Sequence, residues 1–153
     1  MKVGFAADHA GAALKDELIR RIHASNAEHE LVDLGGDGSD PNDDYPDFAQ
    51  RLGGAVRGGL SERGILICGS GVGAAIAAGK IRGVRAAVCH DTYSAHQGVE
   101  HDDMNVLVLG SRVIGPELAL ECSLAFLGAK FSGEPRHRRR RDKVLAIEAA
   151  ESG

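Results

Sequence analysis

The stretch Gly64-Ile-Leu-Ile-Cys68-Gly-Ser-Gly-Val-Gly73 decides the fold. Its apolar half is a short run with no polar alternation, which suits a strand buried on both faces of a parallel sheet. Its glycine half enters an alanine-rich segment, Val72–Lys80, so a tight turn passes from strand to helix. Runs of the same kind recur at Val3–Ala7, Glu30–Leu34, Arg85–Cys89 and Asn105–Leu109. Helix-length segments separate them: Ala12–Ser25, Tyr45–Leu60, Tyr93–Glu100 and Pro116–Leu127. In the first of these, Leu14, Leu18, Ile19 and Ile22 form a helical stripe. Strand and helix alternating in this way predict a doubly wound α/β architecture, a five-stranded parallel sheet with helices on both faces and right-handed crossovers.

The end of the chain breaks the pattern. Phe131-Ser-Gly-Glu-Pro135 reads as a turn, followed by the basic run Arg136-His-Arg-Arg-Arg-Arg-Asp-Lys143 and the apolar Val144-Leu-Ala-Ile147. A last, basic helix over about 134–150 has no strand to follow it, so it is expected to pack on a partner subunit. The 153 residues fit one domain spanning 1–153, long enough to bury a core without disulfides or a structural metal.

Composition removes several function classes. The net charge is −4, which argues against nucleic acid as a partner. Aromatic residues make up 4% of the chain and Trp is absent, so base- or sugar-stacking platforms are not expected. The three cysteines, Cys68, Cys89 and Cys122, form no C-x-x-C pair and suggest neither zinc nor a disulfide framework. No apolar run approaches the roughly 18 residues of a membrane span, and the N-terminus lacks a signal core, so a cytoplasmic protein away from the membrane is expected.

In open α/β sheets ligands bind beyond the carboxyl ends of the strands. Asp8-His9 follows the first strand, Cys68 to Gly73 follow the third, and His90-Asp91 follow the fourth; His101-Asp102-Asp103 precede the fifth. The glycine loop exposes consecutive backbone N–H groups at a helix start, a setting for an anion. It also fits G-x-G-x-x-[G/A] through Gly69, Gly71 and Ala74, with Asp91 twenty residues after Gly71, so a nucleotide-binding module stays open as an alternative. Against that, the fingerprint belongs to the first βα turn, and here it stands at the third. Cys68, at the strand end facing that helix, is a candidate nucleophile or general base. His9 and His101 stand beside carboxylates and are candidates for proton transfer. Arg136 and Arg140, four apart on one helix face, can grip one phosphate; the alternative is a basic tail that binds a partner. Asp8, His9 and His101 could in principle meet a metal, but no tight ligand spacing supports one.

Together, Asp8-His9-Ala-Gly11, Asp44-Tyr45-Pro46, Ile65-Leu-Ile-Cys-Gly-Ser-Gly-Val-Gly73, His101 with Asn105-Val, Gly110-Ser-Arg112 and Arg136-His137 with Arg140 closely resemble the type B ribose-5-phosphate isomerases, relatives of the galactose-6-phosphate isomerase subunits. The likeness runs from about Lys2 to Ile147. It implies a Rossmann-like sheet, a homodimer (or a tetramer) with shared sites, and neither metal nor organic cofactor. It further implies aldose–ketose isomerisation of a sugar phosphate, ribose 5-phosphate to ribulose 5-phosphate first among the candidates, through an enediolate. Cys68 matches the family's base, and Ser70 the hydroxyl that helps move a proton between O1 and O2. The amides of Gly69, Gly71, Val72 and Gly73 match the enediolate cradle. His101 matches the ring-opening group, with Asp8 or Tyr45 placing the sugar, and His9, Arg112, Arg136 and Arg140 match the phosphate set. One position departs from the family: Asp102 stands where Asn is common. A carboxylate accepts hydrogen bonds but cannot donate them, so a tetrose, another pentose or a hexose phosphate is an alternative substrate.

Overall fold

The computed structural model describes residues 1–25 and 28–152. Five parallel strands, β1 (Lys2–Ala7), β2 (Glu30–Asp33), β3 (Arg63–Cys68), β4 (Ala86–Val88) and β5 (Val106–Gly110), lie in the order β2-β1-β3-β5-β4. Six helices connect and follow them: α1 (Ala12–Ser25), α2 (Tyr45–Arg57), α3 (Val72–Ala78), α4 (Thr92–Asp102), α5 (Pro116–Gly128) and α6 (Pro135–Glu151).

The strand alternation divides the core in two. Val3, Phe5, Ile65, Ile67, Leu107 and Leu109 point to the face covered by α1, α4 and α5, where Leu18, Val99 and Phe126 meet them. Ala6, Leu66, Cys68, Val106 and Val108 point to the other face, against Phe48 and Leu52 of α2 and Ala74 and Ala78 of α3. This is the expected doubly wound arrangement, with each residue's face set by the two-residue period of the strand.

Element ends depart from the sequence expectation where glycine or a capping side chain intervenes. Helix α2 stops at Arg57 rather than Leu60 because Gly58 caps it and Gly59 adopts φ 79°. Helix α4 begins one residue early, at Thr92, where the Asp91 carboxylate accepts the Ser94 N–H at 2.6 Å. It also runs two residues further than expected, so His101 and Asp102 occupy its last turn rather than a loop. Asp103 then caps it in the left-handed region, φ 55°.

Register sets the site. Ala7 lies beside Ile67 and Cys68 beside Gly110, so the residues following β1, β3 and β5 emerge side by side on the sheet's carboxyl edge. The chain goes from β2 across β1 to β3, placing a topological switch point between β1 and β3.

Candidate active site

Cys68 is buried, and its Sγ accepts the N–H of Gly71 at 3.1 Å. That bond requires the chain to double back immediately after the strand, which Gly71 permits by taking φ 84° at the start of α3. The Val72 amide is held by Ser70 Oγ at 3.2 Å. Tyr45, the first residue of α2, lays its ring on Gly73; a Cβ there would stand 2.6 Å from the ring carbon Cζ. Glycine at 73 is therefore what lets Tyr45 reach the loop.

The turn after β5 completes the floor. The Ser111 N–H donates to Cys68 O at 2.8 Å, and the Arg112 N–H to Gly69 O at 2.9 Å. Arg112 carries its guanidinium back over Gly69, with Nη1 3.3 Å from where a Cβ would be. Ser111 Oγ donates to Ala10 O at 2.7 Å, joining this turn to the one after β1. His90 Nε2 accepts the Gly110 N–H at 2.9 Å, which puts its own proton on Nδ1.

After β1, the buried Asp8 accepts the N–H groups of Ala10 and Gly11, both at 3.1 Å, and so shapes the turn into α1. His9 projects beyond it. Asp43 Oδ1 takes both the His9 backbone N–H, at 2.9 Å, and His9 Nδ1, at 2.7 Å. That hydrogen bond, reinforced by the negative charge of Asp43 and Asp8, raises the His9 pKa above its ordinary 6.5. Asp43 was not singled out from the sequence; within the acidic run Asp40–Asp44 nothing local distinguishes it. Among the described residues Asp8, His9 and Asp43 are the one grouping with metal-ligand proximity, their donor atoms lying within 4.8 Å of one another. The His9–Asp43 hydrogen bond accounts for that proximity.

The structure thus brings together Asp8, His9, Tyr45, Cys68, Gly69, Ser70, Gly71, Val72, Gly73 and Arg112. It places His101, Asp102, Arg136 and Arg140 elsewhere. Helix α4 starts beyond the carboxyl end of β4 and ends before the amino end of β5, so its last turn lies at the sheet's opposite edge from Cys68. The five residues of β5 separate the two edges by about 13 Å at roughly 3.3 Å per residue. At the far edge the ring of His101 stacks on His137 of α6, with centroids 4.0 Å apart. Arg136 Nε donates to His137 Nε2 at 3.2 Å, and Arg136 also pairs with Glu134 at 3.3 Å. Arg140 is exposed near the same ring. Arg141 ties α6 to the end of α4: Nη1 lies 3.1 Å from Asp103 Oδ2, and the guanidinium covers Phe131.

Residues 3–144 match the family described as Ribose/Galactose Isomerase. The ribose-5-phosphate isomerase B of Escherichia coli K12 is 45% identical over 147 residues, covering 96% of each chain. A D-erythrulose-4-phosphate isomerase of Pectobacterium atrosepticum is 41% identical over 133 residues, 87% of this chain and 86% of that one. Among solved structures, the ribose-5-phosphate isomerase B of Mycoplasma genitalium with bound ribulose-5-phosphate superposes with a TM-score of 0.89 at 38% identity, covering 97% of this chain and 96% of that one.

Proposed function

The chain belongs to the ribose/galactose isomerase family, and from that premise we propose that it interconverts ribose 5-phosphate and ribulose 5-phosphate through an enediolate. It is an isomerase, and the reaction is an internal redox exchange: the C1 aldehyde is reduced as the C2 alcohol is oxidised. A base must carry a proton between C2 and C1, donors must hold the enediolate oxygens, and cations must hold the phosphate. Cys68 Sγ serves as the base, entering the reaction as the thiolate. It removes the C2 proton while the electron pair moves to the carbonyl oxygen, and it returns a proton at C1. Ser70 Oγ shuttles the hydroxyl proton between O1 and O2. Of the loop amides, those of Gly71 and Val72 hold the Cys68 sulfur and the Ser70 hydroxyl, and those of Gly69, Ser70 and Gly73 are assigned to the developing negative charge, a fixed array of the oxyanion-hole kind. Asp8 and Tyr45 bound the sugar, and His9 and Arg112 supply positive charge from the same chain.

The length of the substrate argues for a second chain at the site. From C1 to phosphorus a pentose 5-phosphate has six bonds, about 9 Å even if laid end to end at roughly 1.5 Å each. That is shorter than the about 13 Å between the Cys68 edge and the His101 edge. The site we propose is therefore composite: Cys68 of one protomer works with the partner subunit's His101, Arg136 and Arg140, in a homodimer with two such sites. Two exposed apolar patches support the pairing. Val72 and Ile76 of α3, the helix that the Cys68 loop enters, are 56% and 61% exposed, and Val144 and Ile147, which follow the arginines on α6, are 54% and 65% exposed. An isologous two-fold contact of one patch against the other occurs twice and so completes two sites. No described helix is long and apolar enough to cross a membrane, consistent with a cytoplasmic enzyme.

The observation that carries this reading is the Gly71 N–H donated to the buried Cys68 Sγ within the glycine loop. Turnover measured across four- to six-carbon aldose phosphates tests it. Ribose 5-phosphate is expected to lead, and Cys68→Ala to lower kcat by at least about 100-fold with the fold intact; wild-type kcat in that variant would remove the thiol from the mechanism. A tetrose phosphate is the second reading, favoured by Asp102 and by the erythrulose-4-phosphate relative.

A further inference from the structure

Helix α6 is exposed along nearly its whole length, and His137 is its one buried residue. An imidazole at 2% exposure within a run of arginines calls for a reason, and its contacts supply one. Nε2 accepts the Arg136 Nε–H at 3.2 Å, so the neutral ring carries its proton on Nδ1, which donates to Ser132 Oγ at 2.5 Å. Ser132 is itself fixed, its N–H donating to Glu100 O of α4 at 3.0 Å. With both nitrogens committed, the ring plane is locked, and His101 stacks on it at 4.0 Å with an interplanar angle of 23°. Gln97 Nε2 donates to His101 Nδ1 at 3.0 Å, which leaves the His101 proton on Nε2, the nitrogen facing outward toward Glu100 at 3.5 Å. Burial, with His101 and Arg136 close by, lowers the His137 pKa and so favours its neutral ring.

We propose that His137 is a positioning residue that fixes the plane of His101 and the guanidinium of Arg136 together, so that the proton donor for ring opening and one arm of the phosphate grip share a single mount. This rests on the isomerase reading above. Ring opening moves a proton from His101 Nε2 to the ring oxygen as the C1–O bond breaks, the C1 hydroxyl gives its proton to water as it becomes the aldehyde oxygen, and His101 is reprotonated from water. A displaced His101 therefore slows ring opening without touching the Cys68 step.

The two steps separate experimentally. Ribose 5-phosphate must be opened from its furanose, whereas ribulose 5-phosphate is acyclic, because its C5 oxygen carries the phosphate. Solvent deuterium wash-in at C1 of ribulose 5-phosphate reports Cys68 chemistry alone. His137→Phe keeps a flat ring against His101 and removes both hydrogen bonds; Ser132→Ala removes only the anchor and leaves the buried ring in place. For His137→Phe, kcat on ribose 5-phosphate is expected to fall roughly 10- to 100-fold, the penalty of a misplaced group, with a smaller fall in the same direction for Ser132→Ala. The rate of wash-in at saturating ribulose 5-phosphate should hold within about twofold in both, while KM rises for both sugars as Arg136 loosens. Equal losses in conversion and wash-in, or no loss of conversion in either variant, would overturn the proposal; if His137→Phe fails to fold, the Ser132→Ala comparison decides it. Wild-type protein inactive in both assays would instead overturn the isomerase reading, and the proposal with it.

Discussion

His9 shows how a single contact sets the chemistry of a residue. Its hydrogen bond to Asp43 raises its pKa above 6.5, so the folded protein binds a proton at His9 that the unfolded chain has begun to release. The stabilisation from this pair is complete below about pH 6.5, declines as pH rises through the raised value, and is absent above it. An NMR titration of His9 should find its midpoint above 6.5 and should find it moved back toward 6.5 in Asp43→Asn. If His9 holds phosphate, KM should rise over the same interval as the ring loses its charge; a KM flat across that interval would take His9 out of the phosphate set. Gly73 offers a second test at this scale. Gly73→Ala must displace Tyr45, because a Cβ would stand 2.6 Å from its ring. Activity is expected to fall roughly tenfold or more, with little change in Tm since Tyr45 is 41% exposed.

Among the elements, α4 and α6 depend on one junction. Asp103 ends α4 in the left-handed region while its carboxylate reaches Arg141 at 3.1 Å and Arg85 at 3.5 Å. Asp103→Ala keeps the strained backbone and loses both ion pairs. The left-handed strain costs about 1 kcal/mol, and partly exposed pairs contribute about 0.5–1 kcal/mol more. Asp103→Gly removes the strain along with the pairs. Denaturant unfolding should therefore find the Ala variant less stable than wild type and less stable than the Gly variant, by about 1 kcal/mol in the latter comparison. The reverse order would show that the cap tolerates a side chain without cost. The same junction explains why the last helix was only partly legible. Its bounds follow from Pro135 and the run of helix formers, but nothing in the run of arginines distinguishes Arg141, held in a junction, from Arg136 and Arg140, facing solvent.

At the scale of the whole molecule, the composite site makes a prediction that a single-chain site does not. Cys68→Ala and His101→Asn dimers should each be nearly inactive. Mixed after dissociation, half of the dimers pair one chain of each kind, and each such dimer holds one site with neither change, so about one quarter of wild-type activity should return. No recovery on mixing, with exchange verified by mass, would place both residues' work within one chain. Local pattern was enough for the α/β class, the succession of strands and helices, and the glycine loop at Cys68, because periodicity and turn chemistry act over a few residues. Much of the carboxyl-edge cluster was legible for the same reason: Asp8, His9 and the Cys68–Gly73 loop each follow a strand, and parallel strands deliver their ends to one edge, whereas Tyr45, which opens α2, and Arg112 were legible only through the family resemblance. It took the folded chain to put His101, Arg136 and Arg140 at the other edge. A helix that returns from the carboxyl end of one strand to the amino end of the next carries its last turn across the sheet, and the distance between residues far apart in sequence is fixed by packing, which no local pattern encodes. Asp43 beneath His9 and His137 beneath His101 were hidden in the same way, since a buried partner is chosen by the fold that surrounds it.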